Sequence, residues 1–355
     1  IETSCDDTSM ALLRGPAGES EKRPIILGHK SFSQELILRK WGGVVPELAA
    51  RNHLMKLAPL FEELLKDAKI TPKQIDWIGV TTHPGLLGPL LTGINVAKTL
   101  SLLHQLPINP VNHLFSHLEA IFLAHDLSSP CLYPYLGLLV SGGHSAFFLV
   151  KSPLNFQYLG GTTDDAAGEA FDKSGKILGI GYPAGKVIDD LAQKGDPARF
   201  SFPIGLKNVD APILSFSGLK TSFKQMLDHD PSLVCHTAED LMRPVIADLC
   251  ASYQMAIITA LRLKTEAAYR MISPVISLDK TIPLVIGGGV AANQGLRKIF
   301  TAHFPNCLFV PLQFCADNGA MVANYALRTP QNNKLYPESL TLDATSTYIQ
   351  KSVKP

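Results

Sequence analysis

His113 and His117 stand four residues apart in the run Val111-Asn112-His113-Leu114-Phe115-Ser116-His117-Leu118-Glu119. On a helix that spacing is about one turn, so both imidazoles share a face and can converge on one cation. A carboxylate from elsewhere in the fold would complete such a site, and Cys315-Ala316-Asp317-Asn318 is read together with the pair for that reason. Two histidines on an apolar helix also serve as plain core residues, and the pair alone leaves both readings open. A zinc protease of the HExxH type is disfavoured, because Leu114 follows His113 where that chemistry needs its glutamate.

Three further stretches suit a phosphorylated ligand. Ile1-Glu2-Thr3-Ser4-Cys5-Asp6-Asp7-Thr8 leads into the apolar run Ser9–Leu13, and Ser141-Gly142-Gly143-His144 separates apolar strands at 135–140 and 145–150. Small polar turns of this kind offer backbone N–H groups to an anion, and their aspartates could hold a phosphate-bound Mg²⁺. Either could equally be an ordinary hairpin turn. The third is Pro283–Ile286 followed by Gly287-Gly288-Gly289-Val290-Ala291-Ala292-Asn293, a strand and glycine turn suited to adenine and ribose. Thr162–Lys173 opens like a capped helix, yet Asp172 lies two turns beyond the cap and needs another purpose.

These residues need elements to position them. Pro46 starts a core helix expected over about 46–67, and Trp77–Thr81 reads as a buried strand. A glycine turn at 83–88 and a helix from near Leu91 follow, then a short strand at 107–111 leading into the histidine helix. Residues 195–235 read as loop-rich, with Ser215–Thr221 as their most distinctive run, and a long helix is expected over about 238–266. The two hairpins, at 1–13 and 135–150, suggest a duplicated α/β domain. Ile1 opens directly on its motif, as the middle of a first strand would, so residues are expected to precede it in the natural protein.

The chain has 355 residues, 46% of them hydrophobic and 18% charged, with a formal net charge of +1. That composition describes an ordered globular protein of two domains. It carries no global basic field, so any nucleic acid must meet a local patch. The six cysteines form no CxxC pair, which points to reduced thiols and a cytoplasmic location. No signal peptide and no apolar run near the length of a membrane span is read.

With these pieces in order, the sequence resembles the bacterial TsaD family. These are the tRNA N6-adenosine threonylcarbamoyltransferases, once described as O-sialoglycoprotein endopeptidases. The resemblance rests on Ile1–Asp6, His113 with His117, Leu138–His144, Asp164–Lys173, Phe216–Lys220, Gly288-Gly289-Val290 with Asn293, and Asp317-Asn318. It implies an α/β chain of the actin-like, sugar-kinase-like ATPase fold, with two ribonuclease-H-like lobes around a nucleotide cleft. The lobes are expected at 1–128, with the histidine pair, and 129–328, with a helical insertion and the nucleotide site. An irregular tail is expected at 329–355.

By position, the resemblance makes His113, His117 and Asp317 the ligands of one divalent metal ion, iron or zinc. Leu139, Val140, Ser141, Gly142 and Gly143 would line the substrate phosphate or threonylcarbamoyl group. Asp172, Gly185, Asp189 and Asn293 would bind the adenylate, with Mg²⁺ as a possible companion of the nucleotide. Asp6, Asp7 and His144 are candidate catalytic bases, none of them assigned. Ala184, where the family has a glycine, would set a Cβ beside the nucleotide loop. The implied reaction moves threonylcarbamoyl from threonylcarbamoyl-AMP to N6 of the adenosine beside the anticodon of tRNAs reading ANN codons. The implied partners are tRNA, a TsaB-like paralogue and a TsaE-like ATPase, with no membrane. Arg39, Lys40, Arg51, Lys220 and Lys224 are candidates for a tRNA-facing surface. A small-molecule kinase of the same fold and a non-catalytic assembly subunit are the competing readings.

Overall fold

A computed structural model describes residues 1–15, 23–125, 132–273 and 282–347. The lobe start expected at Ser129-Pro130, Cys131 and the last eight residues of the tail lie outside the described residues. The chain divides into two units: Ile1–Cys131 with Pro153–Asn155 and Ala316–Pro355, and Leu132–Ser152 with Phe156–Cys315.

The first unit opens with β1 (Asp7–Arg14) and β2 (Ile25–Ser33), an antiparallel pair, followed by α1 (Glu35–Leu38) and α2 (Pro46–Ala68). Then come β3 (Ile78–His83), α3 (Leu87–His104), β4 (Ile108–Asn112) and α4 (His113–Glu119), with β3 and β4 parallel. Residues 1–2 join the two pairs of strands. Glu2 exchanges backbone hydrogen bonds with Ser9 at 2.9 and 3.0 Å, while Thr81 N donates to Ile1 O at 3.1 Å. The spatial order is therefore β2, β1, residues 1–2, β3, β4. Helix α2 begins at Pro46, whose missing N–H costs nothing in a first turn. It buries Ala49, His53, Leu57, Leu60 and Leu64 along one stripe.

The second unit holds β5 (Tyr135–Val140), β6 (Ser145–Ser152), β7 (Asn155–Gly161), α5 (Ala167–Leu178), α6 (Gly185–Ala192) and α7 (Ser217–His229). It continues with α8 (Pro244–Ile272), β8 (Leu284–Gly287), α9 (Gln294–His303) and β9 (Cys307–Phe309). Its five strands run in the order β7-β6-β5-β8-β9, with β5 antiparallel to β6 and parallel to β8. Every residue of β5 is buried, as a central strand covered on both faces requires. The strand order repeats that of the first unit, which is what the paired hairpins in the sequence anticipated.

After β9 the chain returns to the first unit as α10 (Gly319–Arg328). The sequence alone places 316–328 in the second lobe. Instead, α10 packs on β1 and β3, where a Cβ on Gly319 would lie 2.6 Å from the Met10 backbone and one on Gly79 2.7 Å from Ala326. The described part of the tail carries short 3-10 helices at Pro330–Asn332 and Glu338–Thr341 and is tied down: Ile108 and Lys334 exchange backbone hydrogen bonds at 2.9 and 2.8 Å.

Strands β2 and β7 have no counterpart in the sequence reading. Both flank the hairpin strands and are largely half-exposed, so neither shows a continuous apolar run. Helix α7 stands where loop was expected, burying Leu219, Phe223 and Leu227 at four-residue spacing. Helix α8 is long and apolar enough to cross a membrane by composition, contrary to the sequence reading. Its most apolar 18-residue window is 72% buried within the protein, which makes it a core helix.

Candidate metal centre and nucleotide-binding residues

Helix α4 starts where it does because the Asn112 side chain accepts from Leu114 N and Phe115 N, at 2.9 and 3.2 Å. Leu114 and Leu118 face the core, and the neighbouring stripe carries His113 and His117, both buried. The far end of α4 is clamped from α10. Asn324 Nδ2 donates to Glu119 O at 2.8 Å, and Arg328 Nε to the fully buried Glu119 carboxylate at 2.7 Å.

Asp317 reaches the histidines from the residue pair that starts α10. Asn318 caps that helix by accepting from Met321 N, and Gly319 N donates to Ser9 Oγ at 2.8 Å. One Asp317 oxygen then lies 3.0 Å from His117 Nε2 and 3.6 Å from His113 Nε2. One potential ligand atom from each of the three residues falls within 4.8 Å of the others. The sequence-predicted ligands are thus brought together inside one unit.

The electrostatics call for a positive charge. Burial alone would push the His113 imidazole down, but the Asp317 and Glu2 carboxylates overcome it and raise its pKa to about 9. Asp7 is driven up to about 7, first by burial and then by Asp317 and Asp6; Asp6 is raised by burial and Asp317. His117 Nδ1 is buried with no hydrogen-bond partner among the described residues. Two imidazoles, a carboxylate and crowded acids suit a divalent cation and leave coordination positions for substrate.

The other candidates lie in the second unit. Leu139 and Val140 are buried in β5, and Ser141 N donates to His144 O at 2.8 Å to close the turn before β6. Gly142 and Gly143 are exposed, neither has a positive φ, and an added Cβ on either would meet no atom within 4 Å. The fold therefore does not require these glycines, and among the described residues no protein acceptor takes their N–H groups. Gly142→Val should leave the melting temperature within a degree or two while weakening adenylate binding at least tenfold, measured by thermal melts beside calorimetric titration. Gly288 is different: its φ of +96° and the 2.3 Å from an added Cβ to Val140 O demand glycine.

Asp172 on α5 accepts from Ala184 N at 2.8 Å, just before Gly185 starts α6. Asp189 is 5% exposed. It accepts from Gln254 Nε2 at 3.0 Å, Gln193 Nε2 at 3.1 Å, Gln294 N at 2.8 Å and Gly295 N at 3.4 Å. Asn293 caps α9 through Leu296 N and donates to Gln254 Oε1 at 2.6 Å. Asp189 and Asn293 are therefore joined through Gln254, while Asp172 and Gly185 stand together at the α5–α6 turn.

The family model for TsaD, tRNA N6-adenosine threonylcarbamoyltransferase, matches residues 25–324. The chain belongs to the TsaD family. The protein named tRNA N6-adenosine threonylcarbamoyltransferase from Anaeromyxobacter dehalogenans is 44% identical over 91% of this chain and 91% of that one. Its namesake from Bdellovibrio bacteriovorus is 39% identical over 91% and 89%, and that from Thermosipho africanus 40% over 97% and 96%. The α/β chain has the actin-like ATPase fold of the TsaD family, and it is an acyltransferase of tRNA threonylcarbamoyladenosine biosynthesis.

Within this TsaD chain, the Ala184 methyl faces away from solvent. Ala184 is fully buried, and a Cβ on Gly175 would stand 2.0 Å from it, so the methyl fills the seam between α5 and the following loop. Lys220 is paired with Asp165 at 2.7 Å and Lys224 with Asp228 at 2.6 Å, whereas Arg39, Lys40 and Arg51 are exposed. Sequence reasoning missed Glu2, His53 and Gln254. Glu2 is fully buried beside His113, and Gln254 links two predicted residues. His53, also fully buried, bridges Cys5 O at 3.0 Å and Thr8 Oγ1 at 2.8 Å across the acidic turn.

Proposed function

We propose that this acyltransferase works with one divalent cation, Fe²⁺ or Zn²⁺, held by His113, His117 and Asp317. Its substrates in this reading are threonylcarbamoyl-adenylate and the adenosine beside the anticodon of tRNAs reading ANN codons. The observation that carries the metal is the gathering of three potential ligand atoms within 4.8 Å at a mostly buried site. When bound, such a cation supplies Lewis-acid polarisation of a carbonyl.

The chain's own residues account for the rest. The exposed Gly142-Gly143 pair after Ser141 presents backbone amides to the adenylate phosphate or to the developing oxyanion. The network of Asp189, Gln254 and Asn293, with Asp172 and Gly185, shapes the part that takes ribose and base. The N6 amine forms its bond to the carbamoyl carbon, the bond to phosphate oxygen breaks, and AMP leaves. The N6 proton goes to a base, for which Asp6, Asp7 and His144 remain the candidates. Elemental analysis of the purified protein should find close to one equivalent of iron or zinc. A protein fully active with none contradicts the reading.

For partners we propose tRNA, a TsaB-like paralogue and a TsaE-like ATPase. Support for a protein partner comes from exposed apolar side chains on adjoining elements: Leu36 and Trp41 around α1, Leu54 and Met55 on α2, Leu87 and Leu91 on α3. Helices α2 and α3 meet where an added Cβ on Gly88 would lie 3.3 Å from Ala50. The double substitution Leu54→Glu with Met55→Glu should weaken binding of the paralogue at least tenfold by calorimetry while metal content stays unchanged. The cytoplasmic location is supported by free thiols at Cys5, Cys235, Cys250, Cys307 and Cys315.

A further inference from the structure

The two histidines of the candidate metal centre are not equivalent, and the difference lies in what stands behind them. His113 directs Nε2 toward Asp317 and Nδ1 toward Glu2 Oε2, 3.2 Å away. Ser4 Oγ lies 3.2 Å from the same Nδ1. Behind His117, by contrast, Nδ1 has no hydrogen-bond partner among the described residues.

Glu2 is an unusual residue to find there. It is 0% exposed, inside the first unit, on the short strand between β1 and β3. A buried carboxylate persists only where donors satisfy it. Thr81 Oγ1 donates to Oε2 at 2.6 Å and Ser4 N donates to Oε1 at 2.6 Å. Neither can exchange roles usefully: a backbone N–H only donates, and the threonine proton is already directed at Glu2. Oε2 also lies 3.2 Å from His113 Nδ1, and since an ionised carboxylate only accepts, a contact between the two needs the proton on Nδ1.

We infer that Glu2 is a positioning residue of the metal centre, holding His113 with its proton on Nδ1 so that Nε2 presents its lone pair to a divalent cation. A carboxylate behind a metal-bound histidine fixes ring orientation and raises ligand basicity, and losing one typically costs roughly 10- to 100-fold in metal affinity. The charge count fits the same cation. Asp317 and Glu2 bring two carboxylates to the site, a charge that one divalent ion balances. Thr81 and Ser4 belong to the device as well, since they keep both Glu2 oxygens as acceptors.

The inference rests on the metal reading above, and one experiment separates the two. The whole protein is stripped with chelator and titrated with Zn²⁺ and with Co²⁺, whose visible absorption reports the coordination geometry. Wild type, His113→Ala, Glu2→Gln, Glu2→Ala and Thr81→Val are compared, each with its melting temperature. Glu2→Gln and Glu2→Ala should bind both ions 10- to 100-fold more weakly with an altered Co²⁺ spectrum, and Thr81→Val less than tenfold more weakly. Wild-type affinity in both Glu2 variants, with binding abolished in His113→Ala, would overturn the role of Glu2 and leave the metal site standing. Failure of the wild type to bind either ion would overturn both.

Should the Glu2 variants not fold, ¹⁵N–¹H correlations on Zn²⁺-loaded wild type decide the matter. A His113 proton on Nδ1 with zinc on Nε2 supports the assignment, and the reverse arrangement rejects it.

Discussion

His113→Ala removes metal and activity together. The substitution takes away one of two imidazoles and leaves Asp317 with His117 alone, while Glu2 stays buried without its histidine neighbour. Bound metal should fall from near one equivalent to under a tenth. Threonylcarbamoyl transfer should fall by roughly three powers of ten, the size expected when several kcal/mol of Lewis-acid stabilisation is lost. Elemental analysis and single-turnover transfer to unmodified tRNA check both numbers on one preparation. Retained metal with lost activity would move His113 from ligand to some other part of the chemistry.

The second large effect is at Asp189, and it falls on the fold first. Its carboxylate accepts from two glutamine side chains and from the first N–H groups of α9. Asp189→Ala leaves the buried Gln254 amide and the end of α9 unsatisfied, at about 1–3 kcal/mol for each buried group. It also removes a negative charge from a helix N-terminus. A loss of about 3–5 kcal/mol follows from these contributions, which lowers the melting temperature by on the order of 10 °C for a unit of this size. Adenylate affinity should fall with it, because Asn293 is oriented through the same Gln254. Asp189→Ala with an unchanged melting temperature and lost adenylate binding would instead make Asp189 a direct contact to the nucleotide.

How much of this was legible depends on the range over which each feature is determined. The spacing of His113 and His117 is local, so their shared face could be read from the sequence, as could the buried strand at 135–140. Asp317 is brought to them by α10 packing on β1, a long-range event, so its assignment as third ligand rests on the family resemblance. Glu2 escaped assignment because its burial depends on Thr81 and His113, neither near it in the chain. Gln254 was hidden in the same way, because its partners Asp189 and Asn293 lie far from it in the chain. Asp189 was expected among the residues that bind the adenylate's ribose and base, and what no sequence shows is that its lone pairs are so fully engaged by α9, Gln193 and Gln254. The paired acids Asp164 and Asp165 explain the Phe216–Lys220 run by position: they hold Phe216 N, Ser217 and Lys220 at the start of α7.

Nucleoside mass spectrometry of the product tests metal-assisted transfer of threonylcarbamoyl to tRNA. Purified protein, with the proposed partners, is given threonylcarbamoyl-adenylate and unmodified tRNA, before chelation, after it, and after return of Fe²⁺ or Zn²⁺. Threonylcarbamoyladenosine is expected in the untreated reaction, at least a hundredfold less after chelation, and recovery with one equivalent of metal. Product formed at the full rate by protein verified to hold no metal would contradict it.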